Sequence, residues 1–229
     1  MKVSVIVPTY KEKDNLPELI DRIFKALKGY DFEVIIVDDN SPDGTAGVAR
    51  GLSKIYGNIK VIERPVKLGL ASAIRDGISN ADGDVIVCKD ADLQHPPELL
   101  PKMIEKAKEG YEVVIASRYI DGGKIEGWSA FRKFISKSAI LLAHILFPKM
   151  RAVKDVASGF FLLKRGVISG TQLNSTGYKI IPEVLVKGKY ERVTEIPYVF
   201  KPRKRGKSKL SLKDVISYAV FLLKLKLGK

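Results

Sequence analysis

Two carboxylates one residue apart follow an apolar segment of this 229-residue sequence. Asp90 and Asp92 flank Ala91, and residues 84–88 before them predict a buried strand. Hard divalent ions such as Mg²⁺ and Mn²⁺ prefer oxygen ligands and often share them with phosphates. Gln94 adds a neutral oxygen. Solvated acidic turns also carry Asp-x-Asp, so the position after a strand is what favours a metal site here.

Two further polar segments also follow predicted strands. In the first, Tyr10 offers a ring that can pack on a nucleobase, and Glu12 a carboxylate that can accept from a ribose. In the second, at 38–44, the acids can accept hydrogen bonds from a base or ribose. Turn formation and helix capping explain the same residues, so both interpretations stay open.

Cations are concentrated in the second half of the chain. Residues 123–229 hold 23 Lys+Arg against 6 Asp+Glu, whereas residues 1–122 hold 17 against 20. This asymmetry indicates an anionic partner: nucleic acid, anionic lipid or a phosphate substrate. Arg118 and Arg132 supply forked donors, and the basic segment 201–209 surrounds Gly206 and is suited to closing over a diphosphate.

The first half alternates strand and helix patterns. Nearly continuous apolar strands separated by amphipathic helices predict an α/β fold with a mostly parallel sheet covered on both faces. Ligands in such sheets bind beyond the carboxyl ends of the strands, where the polar segments lie. We predict strands at 3–7, 32–37, 59–62, 84–88 and 112–116, and helices at 14–27, 45–56, 70–79 and 97–108.

The second half predicts an amphipathic helix at 128–146, a further helix at 176–187, and strands at 158–163 and 193–197. A last helix reaches about residue 227, with Lys224 and Lys226 beside its apolar face. We place a catalytic domain at 1–210 and an amphipathic interface helix at 211–229. That helix either lies on an anionic membrane surface or docks on the domain. No apolar stretch reaches the length of a membrane span.

Several segments together resemble glycosyltransferase family 2, which has the Rossmann-like GT-A fold. They are Val-Pro-Thr-Tyr-Lys-Glu at 7–12, Val-Asp-Asp-Asn-Ser-Pro-Asp-Gly-Thr at 37–45 and Asp-Ala-Asp-Leu-Gln-His-Pro-Pro-Glu at 90–98. The segments 116–119, 132–137, 158–160 and 205–210 are similar to those of the dolichol-phosphate mannose synthases, archaeal forms especially. The resemblance covers nearly the whole chain.

The resemblance implies inverting transfer of mannose from GDP-α-mannose to dolichyl (polyprenyl) phosphate, with Mg²⁺ or Mn²⁺ as cofactor. Asp92, Arg118 and Arg132 would be catalytic, and Asp92 with Gln94 would bind the metal. The acceptor phosphate would lie on Arg118, Arg132 and Ser136. The donor sugar nucleotide would be held by Pro8, Tyr10, Glu12, Val37, Asp39, Asp90, Ala91, Asp92, Gln94, Arg118, Lys179, Arg203 and Lys209.

The resemblance also predicts location and partners. Family members either continue into transmembrane helices or use a membrane partner subunit. We therefore expect a peripheral protein at the cytoplasmic face of the membrane, with such a subunit as a candidate partner and no nucleic acid. The alternatives are the same transfer from UDP-glucose or another sugar nucleotide, a basic nucleic-acid-binding domain, and a non-catalytic membrane adaptor.

Overall fold

A computed structural model describes residues 1–174, 180–203 and 212–227, without the side chains of 212–215. Its centre is a seven-stranded sheet in the order β3-β2-β1-β4-β7-β5-β8. The strands are β1 Val3–Thr9, β2 Phe32–Asp38, β3 Ile59–Glu63, β4 Val85–Cys88, β5 Val113–Ser117, β7 Phe161–Lys164 and β8 Val193–Pro197. A separate pair joins β6 Lys124–Ile125 to β9 Val199–Phe200 in parallel.

Among the described residues, seven α-helices cover the two faces of the sheet. They are α1 Leu16–Ala26, α2 Thr45–Tyr56, α3 Leu70–Ser79, α4 Leu100–Lys108, α5 Ala130–Leu146, α6 Ile181–Lys187 and α7 Leu212–Lys226. Buried residues of α1, α2 and α4 pack on one face, where Val3, Val5 and Val7 of β1 point. Those of α3, α5, α6 and α7 pack on the other, reached by Ile6. Alternate residues of one strand thus build two cores.

The predicted mostly parallel sheet is confirmed, with one strand running the other way. β1 pairs in parallel with β2 and β4, and β5 with β8. β7 lies antiparallel between β4 and β5, so the chain returns to the sheet centre after α5. An apolar run indicates a buried strand but not its direction, so the sequence could not reveal this insertion.

The last helix contributes to the core and also presents a second face. Leu222 and Leu225 of α7 are buried in the cluster that contains Ile140 and Ala143 of α5. The inner face of α7 thus packs on the domain, and a membrane-interface role for the helix stays a prediction. Within the described ranges, no helix is long and apolar enough to cross a bilayer.

Candidate active site

Three loops at the carboxyl ends of β1, β2 and β4 form the centre of the candidate site. Each loop contains a residue other than glycine with positive φ: Lys11 at 59°, Asn40 at 57° and Leu93 at 63°. No other residue except glycine has positive φ in the part of the chain that the structure describes. Such backbone is costly for lysine and leucine, and it concentrates at ligand sites. The predicted position of the site is therefore marked by local strain.

Asp92 and Gln94 lie together under Arg203. The Arg203 guanidinium donates from Nη2 to Asp92 Oδ2 at 2.8 Å and from Nε to Gln94 Oε1 at 3.1 Å. Gln94 Nε2 in turn donates to the Lys201 carbonyl at 2.6 Å. β9 ends at Phe200, so this short strand brings Lys201 and Arg203 to the two predicted metal ligands. Burial raises the pKa of the Asp92 carboxyl, Asp90 raises it further, and Arg203 opposes both.

The position of Asp90 is fixed by a hydrogen bond to the side chain of His95. The Asp90 N–H donates to His95 Nδ1 at 3.1 Å, and the buried imidazole stacks on Phe160 with ring centroids 5.3 Å apart. A Cβ on Gly159 would come within 3.2 Å of an Asp90 carboxylate oxygen and 3.3 Å of the imidazole. His95 thus supports the Asp-x-Asp turn. Gly159 leaves room for both side chains.

A buried lysine lies beneath the same turn. Lys89 is 1% exposed, and its Nζ donates to the Asp90 carbonyl at 3.1 Å. Burial lowers the pKa of Lys89 to about 7, against the opposing attraction of Asp92 and Asp90. Sequence reasoning missed this residue, because the apolar pattern that predicts β4 ends one residue before it.

The Asp39 carboxylate is held by the loop after β3. Asp39 Oδ1 accepts from Arg64 Nη1 and from the Leu68 N–H, each at 2.8 Å, and Oδ2 accepts from the Gly69 N–H at 2.8 Å. The Lys67 ammonium lies 3.6 Å from the ring centroid of Tyr10. The two predicted nucleoside contacts thus lie beside one loop, which the sequence analysis had not identified.

The other predicted donor contacts differ in accessibility. Glu12 accepts from the Asn15 side chain at 2.7 Å, and its N–H donates to Thr45 Oγ1 at 3.0 Å. Pro8 and Val37 face each other in the β1–β2 ladder and are buried, as is Ala91. The structure therefore does not bring Pro8, Val37 or Ala91 to the surface. Lys179 and Lys209 lie outside the described residues.

Arg118 is buried and paired with an acid. Its Nε and Nη2 donate to the two oxygens of Asp155 at 2.8 and 2.7 Å, and its N–H adds a third bond at 3.0 Å. Asp155 is fully buried, and its own N–H donates to Glu195. Although burial lowers the pKa of Arg118, the attraction of Asp155 outweighs it and leaves that pKa raised. Sequence reasoning missed Asp155, since nothing in the sequence distinguishes a buried acid from an exposed one.

Arg132 lies in the first turn of α5 without a carboxylate partner among the residues that the structure describes. Its guanidinium carbon is 4.1 Å from the Trp128 ring centroid, and Nε is buried without a hydrogen bond. Burial lowers the pKa of Arg132, and repulsion from Arg203 and Arg118 lowers it further. Ser136, on the next turn, approaches the Tyr119 hydroxyl. The predicted acceptor residues Arg118, Arg132 and Ser136 are therefore neighbours.

The donor set fits a divalent ion that is shared with a substrate. Across the described ranges, no three His, Cys, Asp or Glu side chains cluster into a complete protein cage. Asp92 and Gln94 nevertheless turn their oxygens toward one cation, the Arg203 guanidinium. One carboxylate, one amide oxygen and diphosphate oxygens form the kind of incomplete set on which Mg²⁺ binds.

The pattern of "Glycosyl transferase family 2" matches residues 4–170. The chain therefore belongs to glycosyltransferase family 2. Within it, the dolichol-phosphate mannosyltransferase of Pyrococcus furiosus is 51% identical over 95% of this chain, which spans 62% of that protein. The Saccharomyces cerevisiae enzyme of the same name is 36% identical over 95% of this chain and 84% of its own length. These relatives confirm the predicted dolichol-phosphate mannose synthase resemblance, archaeal type included.

A solved structure supports the fold at greater distance. Glucosyl-3-phosphoglycerate synthase from Mycobacterium tuberculosis, in complex with Mn²⁺, UDP-glucose and phosphoglyceric acid, superposes with a TM-score of 0.72. It covers 99% of this chain and 80% of that chain at 19% identity. At that identity the likeness supports the fold alone, and the predicted GT-A α/β fold is confirmed.

Proposed function

We propose that this glycosyltransferase moves mannose from GDP-α-mannose to dolichyl phosphate with inversion at the anomeric carbon. The names of the two relatives support the reaction, and the site supports its chemistry. Both substrates carry phosphate, so the site must hold two anions close together. Asp90 and Asp92 cannot do this by themselves, because their own charge repels phosphate.

The convergence of Arg118, Arg132 and Arg203 beside Asp-x-Asp is the observation that carries the proposal. Asp155 neutralises Arg118, and Asp92 pairs with Arg203. Arg132 keeps an uncompensated charge that both neighbours repel. A phosphate between these groups removes the repulsion, which makes Arg132 the strongest candidate for binding the acceptor phosphate.

The division of roles follows from this geometry. Tyr10, Glu12 and Asp39 would hold the nucleoside, with Arg203 on the diphosphate, while Arg118, Arg132 and Ser136 would direct the acceptor phosphate. Asp92 and Gln94 would hold Mg²⁺ or Mn²⁺, which when bound stabilises the departing diphosphate as a Lewis acid. Phosphate is ionised at neutral pH, so positioning and charge stabilisation carry catalysis without a strong base.

The exposed faces of helices α5 and α7 support the proposal that the protein binds its lipid acceptor at a membrane surface. Each of these helices carries a stripe of exposed apolar side chains. The stripe on α5 consists of Phe131, Phe134, Leu141 and Ile145. The stripe at and just beyond α7 consists of Ile216, Val220, Leu223 and Leu227. Exposed lysines flank both stripes: Lys133, Lys137, Lys224 and Lys226. Apolar area edged by cations is typical of binding to anionic lipid. The cytoplasmic face stays a prediction.

A transfer assay with isotope-labelled donors tests the reaction. Dolichyl phosphate is offered with GDP-mannose or UDP-glucose, with Mg²⁺, with Mn²⁺ or with a chelator. We expect labelled lipid from GDP-mannose only when metal is present. Equal or faster transfer from UDP-glucose would overturn the choice of donor, and transfer in chelator would overturn the metal assignment.

Vesicle flotation tests the membrane surface separately. We expect the protein to float with vesicles that contain anionic lipid, and Phe131→Asp with Phe134→Asp to abolish flotation. Ile55→Asp is the matched control, because Ile55 is 76% exposed on α2, across the sheet from α5. Equal flotation of both variants would argue against the α5 stripe.

A further inference from the structure

We infer that Arg64 is a positioning residue for the donor nucleoside, acting through Asp39 and the loop 64–69. The inference rests on the proposed function, since it assigns a role to a side chain that does not itself meet the substrate. Arg64 follows β3 directly, and its side chain is only 4% exposed. A buried guanidinium must be paired and hydrogen-bonded to be tolerated, so each of its partners is informative.

Every nitrogen of the Arg64 guanidinium has a partner. Nη1 donates to Asp39 Oδ1 at 2.8 Å and to the Gly69 carbonyl at 3.2 Å. Nη2 donates to Ser72 Oγ at 2.8 Å, and Nε lies 3.1 Å from Asp76 Oδ2. The fork thus connects the residue after β2 to the loop and to Ser72 and Asp76 of α3.

The consequence for Asp39 follows from the number of hydrogen bonds that a carboxylate accepts. A carboxylate offers about four acceptor positions. Arg64 and Leu68 fill two on Oδ1, and Gly69 fills one on Oδ2. Among the described residues nothing else donates to Asp39, so one position on Oδ2 is left for a nucleoside N–H. Arg64 and the two backbone donors set the direction of that position.

The same loop also sets the surroundings of Tyr10. Arg64 donates its own N–H to the Asp38 carbonyl at 3.0 Å, and Asn40 Nδ2 donates to the Pro65 carbonyl at 3.2 Å. These bonds fix the loop from which Lys67 reaches over the Tyr10 ring. Loss of the fork would therefore disturb the carboxylate and the ring together, while the Asp92–Gln94–Arg203 cluster would keep all its contacts.

Binding of two probes to the full chain separates this role from general stability. Arg64→Gln is compared with wild type for Mg²⁺-dependent binding of GDP and of inorganic pyrophosphate, which has the diphosphate but no nucleoside. We expect GDP affinity to fall at least about fivefold, equivalent to about one hydrogen bond, with pyrophosphate affinity unchanged. In turnover, the KM for the donor should rise while kcat and the acceptor KM stay within about twofold.

Arg165→Gln is the matched control, since the Arg165 guanidinium is likewise hydrogen-bonded within the fold, to the carbonyls of Gly83 and Ala81, away from the three loops. It should lower the melting temperature without changing GDP affinity. If Arg64→Gln does not fold, Arg64→Lys and Ser72→Ala take its place and must show the same selective loss. Unchanged GDP affinity, or equal loss for both probes, overturns the inference.

UDP is measured in parallel with GDP. If wild type prefers UDP, the proposed donor is wrong, and the Arg64 comparison is then made with UDP. The selective loss of nucleotide over pyrophosphate still decides the positioning role in that case.

Discussion

The donor side and the acceptor side of this site satisfy their charges in opposite ways. The donor side comprises the loops after β1, β2 and β4 with Arg203, and the acceptor side comprises Arg118 and the start of α5. On the donor side, Asp38 accepts from Thr9 and from both the N–H and the hydroxyl of Ser41. Asp39 is likewise held by Arg64 and two backbone N–H groups. On the acceptor side, Arg132 has no acid partner among the described residues.

This difference shows how one edge of a sheet can serve two anionic substrates. Fixed carboxylates on the donor side are organised for a nucleoside and a cation. On the acceptor side, Arg132 keeps an uncompensated charge that an anionic substrate can neutralise. The excess of cations in the second half of the sequence reflects this division. Only the tertiary structure shows which of these cations form ion pairs with acids inside the fold.

Replacing Asp92, the second acid of the Asp-x-Asp turn, should have the largest effect on transfer. Asp92→Asn should reduce transfer on the order of 10²–10³-fold, because it removes a metal ligand and weakens stabilisation of the departing diphosphate. Initial rates and calorimetric Mn²⁺ binding would measure this. Asp121→Asn is the control, since Asp121 is exposed outside the site. Metal-stimulated activity near the wild-type level would refute the donor-side assignment.

The two acceptor arginines should respond differently. Arg118→Gln leaves buried Asp155 without its cation and should destabilise the fold by about 3–5 kcal/mol. Arg132→Gln should leave stability nearly unchanged and raise the KM for dolichyl phosphate about tenfold or more, the cost of a charge-assisted contact. Urea denaturation and acceptor titration would measure the two effects. Equal destabilisation by both variants would contradict the contrast between a paired and an unpaired arginine.

Gly159 allows a smaller test of how the donor side is supported. A methyl group there would press on Asp90 and His95, so Gly159→Ala should reduce kcat about tenfold by displacing the turn. Gly166→Ala is the matched control, because a Cβ at Gly166 meets nothing within 4 Å. The kcat and the melting temperature of both variants would be measured. Equal values for the two variants would show that a Cβ at residue 159 does not displace Asp90 or His95.

Lys89 should act on the pH dependence of stability and not on the transfer reaction. Its pKa in the folded protein is about 7, below the value of about 10.4 for an unfolded chain. Between these values the unfolded chain binds the proton more tightly, so raising the pH stabilises the fold, by up to about 1.4 kcal/mol per unit. Denaturation at several pH values should show this rise in wild type and in the exposed-lysine control Lys102→Met, but not in Lys89→Met. If the stability of Lys89→Met changed with pH as that of wild type does, Lys89 would not be the source of the pH dependence.

Much of the molecule could be predicted from local patterns. Helices Thr45–Tyr56 and Leu70–Ser79 and strand Val193–Pro197 have the predicted bounds. The helix predicted at 14–27 runs from Leu16 to Ala26, a difference at the ends of the size that local sequence does not resolve. Positions of the donor loops followed from strand ends, since parallel strands bring their carboxyl ends to one edge.

The sequence by itself determined the α/β alternation, the carboxylates that follow β1, β2 and β4, and the family, because periodicity and short motifs are local properties. Tertiary structure alone decided the direction of β7, the pairing of Arg118 with Asp155, and the hold of Arg64 on Asp39. These depend on which residues meet across 25 or more positions of chain, and charge or hydropathy along the sequence does not specify partners. Arg118 and Arg132 look alike in the sequence, and only burial beside Asp155 separates them.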